Sequence, residues 1–351
     1  MQQLLDDPRI TALLNKLENA IDPETELALE RDWLRFLFED SPEPIFSPQR
    51  RVHSAAQPPE VSLNDTLPDT AEGYCQMLLQ QYGACLQALS GNQLLCVRPN
   101  YGVGILPSLF GAELFVMERR YNQLPNVLSL GKDALTQALA QGRPSLEAGL
   151  GGRVWRVGGL FAEIACRYPR IGRFVHPVHP DLQGPLDAAE LLCGSALFYD
   201  LYDAPDQVQA LLTLLTDTYC ACLDRWQQLF PYNGRTSAHW GMLLRGAVML
   251  REDSAMNLSP ALFDAFARPH DERILRKYGG CVHFCGRGDH FVESLCGQEG
   301  ITAINMSQPE LNEMETIYRA TVDRGLRILG FPAAFASAAK ERGVHGRLHC
   351  A

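Results

Sequence analysis

The stretch GGCVHFCGRGDH, Gly279 to His290, crowds cysteine and histidine into a short run behind paired glycines. Alternate residues of a β-strand share a face, so Cys281, His283 and Cys285 point one way while Val282 and Phe284 point the other. An imidazole and a thiol two residues apart at a strand end can converge on one borderline-soft ion, and zinc takes this donor pair in a tetrahedral shell. A third donor is available at Cys350, which closes the run GRLHCA. His283, Cys285 and Cys350 would leave one coordination position open, the form of a catalytic rather than a structural zinc site. The competing reading is a hydrogen-bonded histidine beside an inert buried thiol.

The elements that must position these residues alternate. Helical stretches with i, i+3, i+4 apolar spacing are separated by short apolar runs that end in Gly, Pro, Asn or Asp, the pattern of βα units. The candidate strands are QLLCVRPN, ELFVME, RFVHPVHPD, AHWGMLLR, GCVHFCG, ITAINMSQP, RILGFP and GRLHCA. This predicts an α/β fold of the (β/α)8 TIM-barrel class over residues 91–351. Residues 1–90 form a helical N-terminal extension with a proline-rich connection across 41–70 that acts as linker or lid. A doubly wound open sheet fits less well, because no GxGxxG follows the first strand. In a barrel the active site gathers at the C-terminal strand ends. The polar residues there are Asn100, His179, Asp181, His239, Trp240, His283, Cys285, Asn305, His349 and Cys350.

Composition narrows the function classes. With 46% hydrophobic and 21% charged residues in 351, the chain can bury a large core. The net charge of -10 and the lack of a basic cluster argue against a nucleic-acid partner. No run of eighteen apolar residues suggests a membrane partner, and the first residues lack the positive flank of a secretion signal, so a cytoplasmic setting is expected. Eleven cysteines, an odd number, fit reduced thiols better than a disulfide framework.

Three stretches carry a resemblance: HPDLQGPLDAAELLCGSALFYDLYDAPDQVQALL from His179, REDSAMNLSPALFDAFARPHDERI from Arg251, and VHFCGRGDHFVESL from Val282. They resemble the uroporphyrinogen decarboxylase superfamily, over roughly residues 91–351. Within it, the zinc-dependent cobamide methyltransferases bind zinc through H-x-C and a distant C, which here falls on His283, Cys285 and Cys350. That resemblance implies zinc as cofactor, a corrinoid carried by a partner protein as methyl donor, and a small-molecule thiol or similar acceptor. It also points to Asp181 and Gln183 in DLQGP and to Asp253 in REDSAMNLSP. Asp181, Asp253 and His239 are the candidate catalytic residues, with Asn100, Gln183 and Arg245 for substrate binding.

The alternative within the superfamily is cofactor-free decarboxylation of a porphyrinogen. Its members resemble one another in an RQAGRY-like motif and an aspartate closing the first strand. Here Arg50-Arg51 lacks the flanking motif and the strand ends in Asn100, although His349 matches a histidine of the decarboxylases' last strand. A non-catalytic, corrinoid-binding relative is the third reading.

Overall fold

A computed structural model describes residues 2–39, 43–54 and 57–350. Its strands are β1 (Leu95–Val97), β2 (Leu114–Phe115), β3 (Asn126–Val127), β4 (Val175–Pro177), β5 (Thr236–His239), β6 (Met242–Arg245), β7 (Val248–Arg251), β8 (Gly280–Phe284), β9 (Ile301–Met306), β10 (Arg327–Phe331) and β11 (Leu348–Cys350). Strands β7 to β11 form a parallel sheet in chain order, and β1 pairs in parallel with β4. Helices intervene between most of these strands. The architecture is TIM-like, but the ladders among the described residues do not close into one ring.

Two candidate strands resolve differently from expectation. ELFVME contributes only β2, which pairs antiparallel with β3 in a surface hairpin. AHWGMLLR is itself a hairpin, β5 and β6, turning at Trp240 and Gly241 with φ of 48° and 73°. Two successive positive φ values are the signature of a two-residue primed turn, which right-handed strand twist favours. The barrel strand at this point is instead β7, only two residues beyond the hairpin.

Alternation along the strands divides the core. Val248, Leu250, Val282, Phe284, Ile304, Met306 and Ile328 join the large cluster that the helices cover. Met249, Cys281, Ala303 and Leu329 face inward and meet Leu29, Trp33, Phe36 and Leu37 of the helix Pro23–Phe38, together with Met242 to Leu244 of the hairpin. At about 25 cal/mol per Å² of apolar surface, a buried Trp, Phe or Leu contributes roughly 2 kcal/mol of transfer free energy. The N-terminal helix is therefore part of the inner core.

Side chains and single residues bridge the gaps in the sheet. His179 Nε2 accepts from Met249 N–H at 3.1 Å on the free edge of β7. Beyond β11, Phe46 pairs in parallel with His349: Phe46 N–H donates to Leu348 O at 2.8 Å and Cys350 N–H to Phe46 O at 3.0 Å. Arg50 then locks the following segment to the start of β1. It forms a bidentate pair with Glu26 and donates to the carbonyls of Ala88, Gly91 and Gln93. The connection expected as linker or lid is thus partly a sheet element, while positions 41–42 and 55–56 lie outside the described residues. No helix among the described residues is long and apolar enough to cross a membrane.

Candidate metal centre

His283 is the inward residue near the end of β8, and Cys285 follows that strand. Asp253 joins them from the turn after β7. His283 Nε2 lies 3.4 Å from Cys285 Sγ and 3.4 Å from Asp253 Oδ1, and the donor atoms of all three lie within 4.8 Å of one another. Asp253 Oδ1 also accepts from Cys285 N–H at 2.7 Å, which ties the two loops together.

The orientation of the imidazole is fixed from behind. Asn305 Nδ2 donates to Leu329 O at 2.6 Å, so its amide oxygen turns to His283 Nδ1 at 2.5 Å. An amide oxygen only accepts, so the proton sits on Nδ1 and the lone pair of Nε2 faces Cys285 and Asp253. Gly330, at φ +66°, makes room for this bond, because a Cβ there would meet Asn305 Nδ2 at 2.6 Å. Burial pulls the His283 pKa below its ordinary value against the opposing charge of Asp253, keeping the ring neutral. Burial also pushes the Cys285 thiol up.

Asp253 is held in turn by Asp187 of the helix Pro185–Cys193. One carboxylate accepts both Asp253 N–H at 3.0 Å and Ser254 N–H at 2.7 Å, and Ser254 Oγ donates to Glu190. Burial, with the nearby charge of Asp253, raises Asp187 to about 7.

Cys350 does not join this group. In β11 the side chains of Leu348 and Cys350 belong to the helix-covered cluster, whereas His349 turns inward. The His349 ring lies 4.5 Å from that of Trp33, and its Nδ1 accepts from Gly330 N–H at 2.9 Å. Strand alternation groups the Cys350 side chain with Leu348, and the donors that lie together are those of His283, Cys285 and Asp253.

Beside these three residues lies a charged cluster. Asp181 Oδ2 is 3.4 Å from Arg98 Nη1 and 3.5 Å from Arg251 Nη2, and its Oδ1 accepts from Gln183 Nε2 at 2.6 Å. Burial alone would raise the Asp181 pKa, but the two guanidiniums outweigh it and hold the carboxyl ionised. Asp181 and Gln183 are both buried, with Asp181 as counter-ion to the two arginines. Asn100 is there too, accepting from Arg98 Nη2 at 3.1 Å.

His239 is fully buried, and its Nε2 accepts from Arg251 Nη2 at 3.2 Å. Burial drives its pKa well down, so it is a neutral acceptor. Trp240, at the hairpin turn, connects both clusters. Arg251 stacks over its ring at 3.8 Å, and the His283 ring meets it edge-on at 5.0 Å. Arg245 is at the other end of β6, exposed, with its guanidinium 5.7 Å from the Phe38 ring. It is corrected out of the pocket, because the turn at Trp240 sends β6 away from the strand ends.

Arg98 and Arg251 were absent from the sequence candidates. Arg251 opens the REDSAMNLSP stretch and Arg98 directly follows β1, so strand-end position was the signal for both. A cavity of about 390 Å³ touches Trp33, Trp240, Asn305, Gly330, His349 and Cys350. A second, of about 550 Å³, touches Arg98, Gln81, Gln93 and Trp240.

No protein-family model matches the sequence. No curated protein matches it either. Among solved structures, the chain is similar to a methyltransferase from Methanosarcina mazei. The TM-score is 0.60 over 92% of each chain, at 15% sequence identity. That likeness extends to the fold, and places the chain with TIM-like α/β proteins.

Proposed function

We propose that the protein is a zinc-dependent methyltransferase that moves a methyl group from a corrinoid, carried by a partner protein, to a small-molecule thiol or similar acceptor in the cytoplasm. The observation that carries this reading is the convergence of His283 Nε2, Cys285 Sγ and Asp253 Oδ1 at a strand end, with the tautomer already set by Asn305. An N, S and O donor set of this size fits zinc, and the histidine's outer hydrogen bond is the usual support of such a ligand. The resemblance to the uroporphyrinogen decarboxylase superfamily and the fold shared with a methyltransferase support the reaction class. On this reading the split sheet is an opened (β/α)8 barrel.

His283, Cys285 and Asp253 would hold the metal. Zinc, when bound, supplies the Lewis acidity that lowers a thiol's pKa and makes it a nucleophile at neutral pH. The rest is the work of the chain. Asn305 keeps the Nε2 lone pair forward, Asp187 keeps Asp253 in place through two backbone N–H groups, and Trp240 packs edge-on against the His283 ring. The decarboxylase reading loses its nearest arginine, since Arg50 is 1% exposed and fully engaged with Glu26 and backbone carbonyls.

Metal analysis of the purified chain tests the proposal. We expect about one zinc per chain, abolished by Cys285→Ser, and thiol-dependent demethylation of free methylcobalamin. Protein that takes up no zinc after incubation and dialysis would refute it.

A further inference from the structure

Arg98 and Arg251 both lean on one oxygen of one carboxylate. Asp181 Oδ2 serves the two guanidiniums at 3.4 and 3.5 Å, while Oδ1 is taken by Gln183. A guanidinium carries five N–H donors in a planar fork. Beyond Asp181, Arg98 reaches Asn100 and Arg251 reaches His239, each through Nη2. No hydrogen bond joins the Nε of either residue, or Arg251 Nη1, to the described residues. None of these atoms is among the unpartnered polar atoms sealed from solvent, so each keeps some solvent contact.

The charges do not balance either. Side chains only 20% and 8% exposed place two cations against one buried carboxylate. His179 and His239 are neutral, since burial lowers the pKa of both. Burial raises the pKa of Glu252 well above its ordinary value, and Asp253 is committed to Cys285 N–H and the His283 side. Burial pulls the Arg98 pKa below its ordinary value, with Asp181 opposing, as expected of an under-compensated cation. Arg98 and Trp240 border the cavity of about 550 Å³, and the Trp240 ring fixes the plane of Arg251.

We propose that Arg98 and Arg251, walled by Trp240, form a subsite for a carboxylate carried by the small-molecule substrate. One missing negative charge calls for a monoanion, and a planar fork presents paired donors to a carboxylate. The site neighbours the metal centre across Trp240, so one small molecule can place a carboxylate here and a thiol there. This names the class of the acceptor, and it rests on the reading above for calling that molecule a methyl acceptor.

Calorimetry on the full-length chain tests it, zinc-loaded and after chelation, with 3-mercaptopropionate, 3-mercaptopropionamide, propionate and propionamide. The acids should bind roughly 10- to 100-fold more tightly than the amides, as for a charge-assisted hydrogen-bonded pair. Arg251→Gln should remove that preference. The wild-type comparison of acid with amide needs no variant and so does not depend on the variant folding. Equal binding of acid and amide in both states overturns the subsite. An acid preference in chelated protein that takes up no zinc keeps the subsite and removes the methyl-transfer reading. Zinc uptake without an acid preference does the reverse.

Discussion

Arg50 and Arg251 are both buried cations set against a carboxylate, yet their surroundings differ in kind. Arg50 gives Nε and Nη2 to the two oxygens of Glu26 at 2.8 and 2.9 Å, and its remaining donors go to three carbonyls. Arg251 has one long contact to a carboxylate oxygen that it shares with Arg98, a histidine acceptor, and a tryptophan face. The first pair has no capacity left for a ligand, and it ties the segment after Phe46 to the approach to β1. The second is left incomplete where the pocket opens. Burial of a charge is thus a poor guide to role, and the count of unsatisfied donors is a better one.

The largest effect should come from breaking the complete pair. Glu26→Ala strands Arg50 without its partner and should cost about 3–5 kcal/mol in urea unfolding, whereas Arg251→Gln should cost under about 2 kcal/mol. Equal losses would erase the distinction between the two arginines.

Acid separates the regions next. Burial holds His179 at about 4 and His349 at about 3. These folded values lie below the unfolded value of about 6.5, so below it the unfolded chain binds protons that the native rings refuse. Stability should therefore be intact above about pH 6.5 and fall as the pH drops toward 4, by on the order of 3 kcal/mol for each of the two rings. Urea midpoints at pH 7 and 4.5 measure this, and His179→Asn should shallow the slope.

A smaller change is expected at the metal centre. Asn305→Leu frees the His283 ring and should weaken zinc binding about 10- to 100-fold in competition with a chelator dye. Cys350→Ser should have the smallest effect, leaving zinc affinity within about twofold, because a thiol on the helix-covered face offers the ion nothing. A large loss in that variant would mean that β11 presents its other face when metal is bound.

Much of this was legible in local pattern. Period-two alternation separates Cys281 and His283 from Val282 and Phe284, and the structure follows it. The same rule puts Cys350 with Leu348, and a leucine two residues away marks the helix-covered face, whereas the need for a third ligand had suggested otherwise. The β5–β6 hairpin escaped because its turn is Trp240-Gly241 rather than Asn-Gly, and β7 because only Gly246 and Ala247 separate it from β6. For the charged cluster, strand-end position was the one local signal, and it did not show that the three residues meet. Arg98, Asp181 and Arg251 lie far apart in sequence, and only the closing of the fold makes their shared oxygen visible.

The single-residue pairing of Phe46 against β11 carries a consequence for how the chain reaches this state. Arg327 Nε donates to Phe36 O across a separation of 291 residues, and Phe46 bonds to both Leu348 and Cys350. Contacts this distant in sequence pay their loop-closure entropy late and slow folding. During synthesis, the Trp33, Phe36 and Phe46 face is not fully covered until the last strands emerge. That aromatic surface is then the segment most in need of a chaperone.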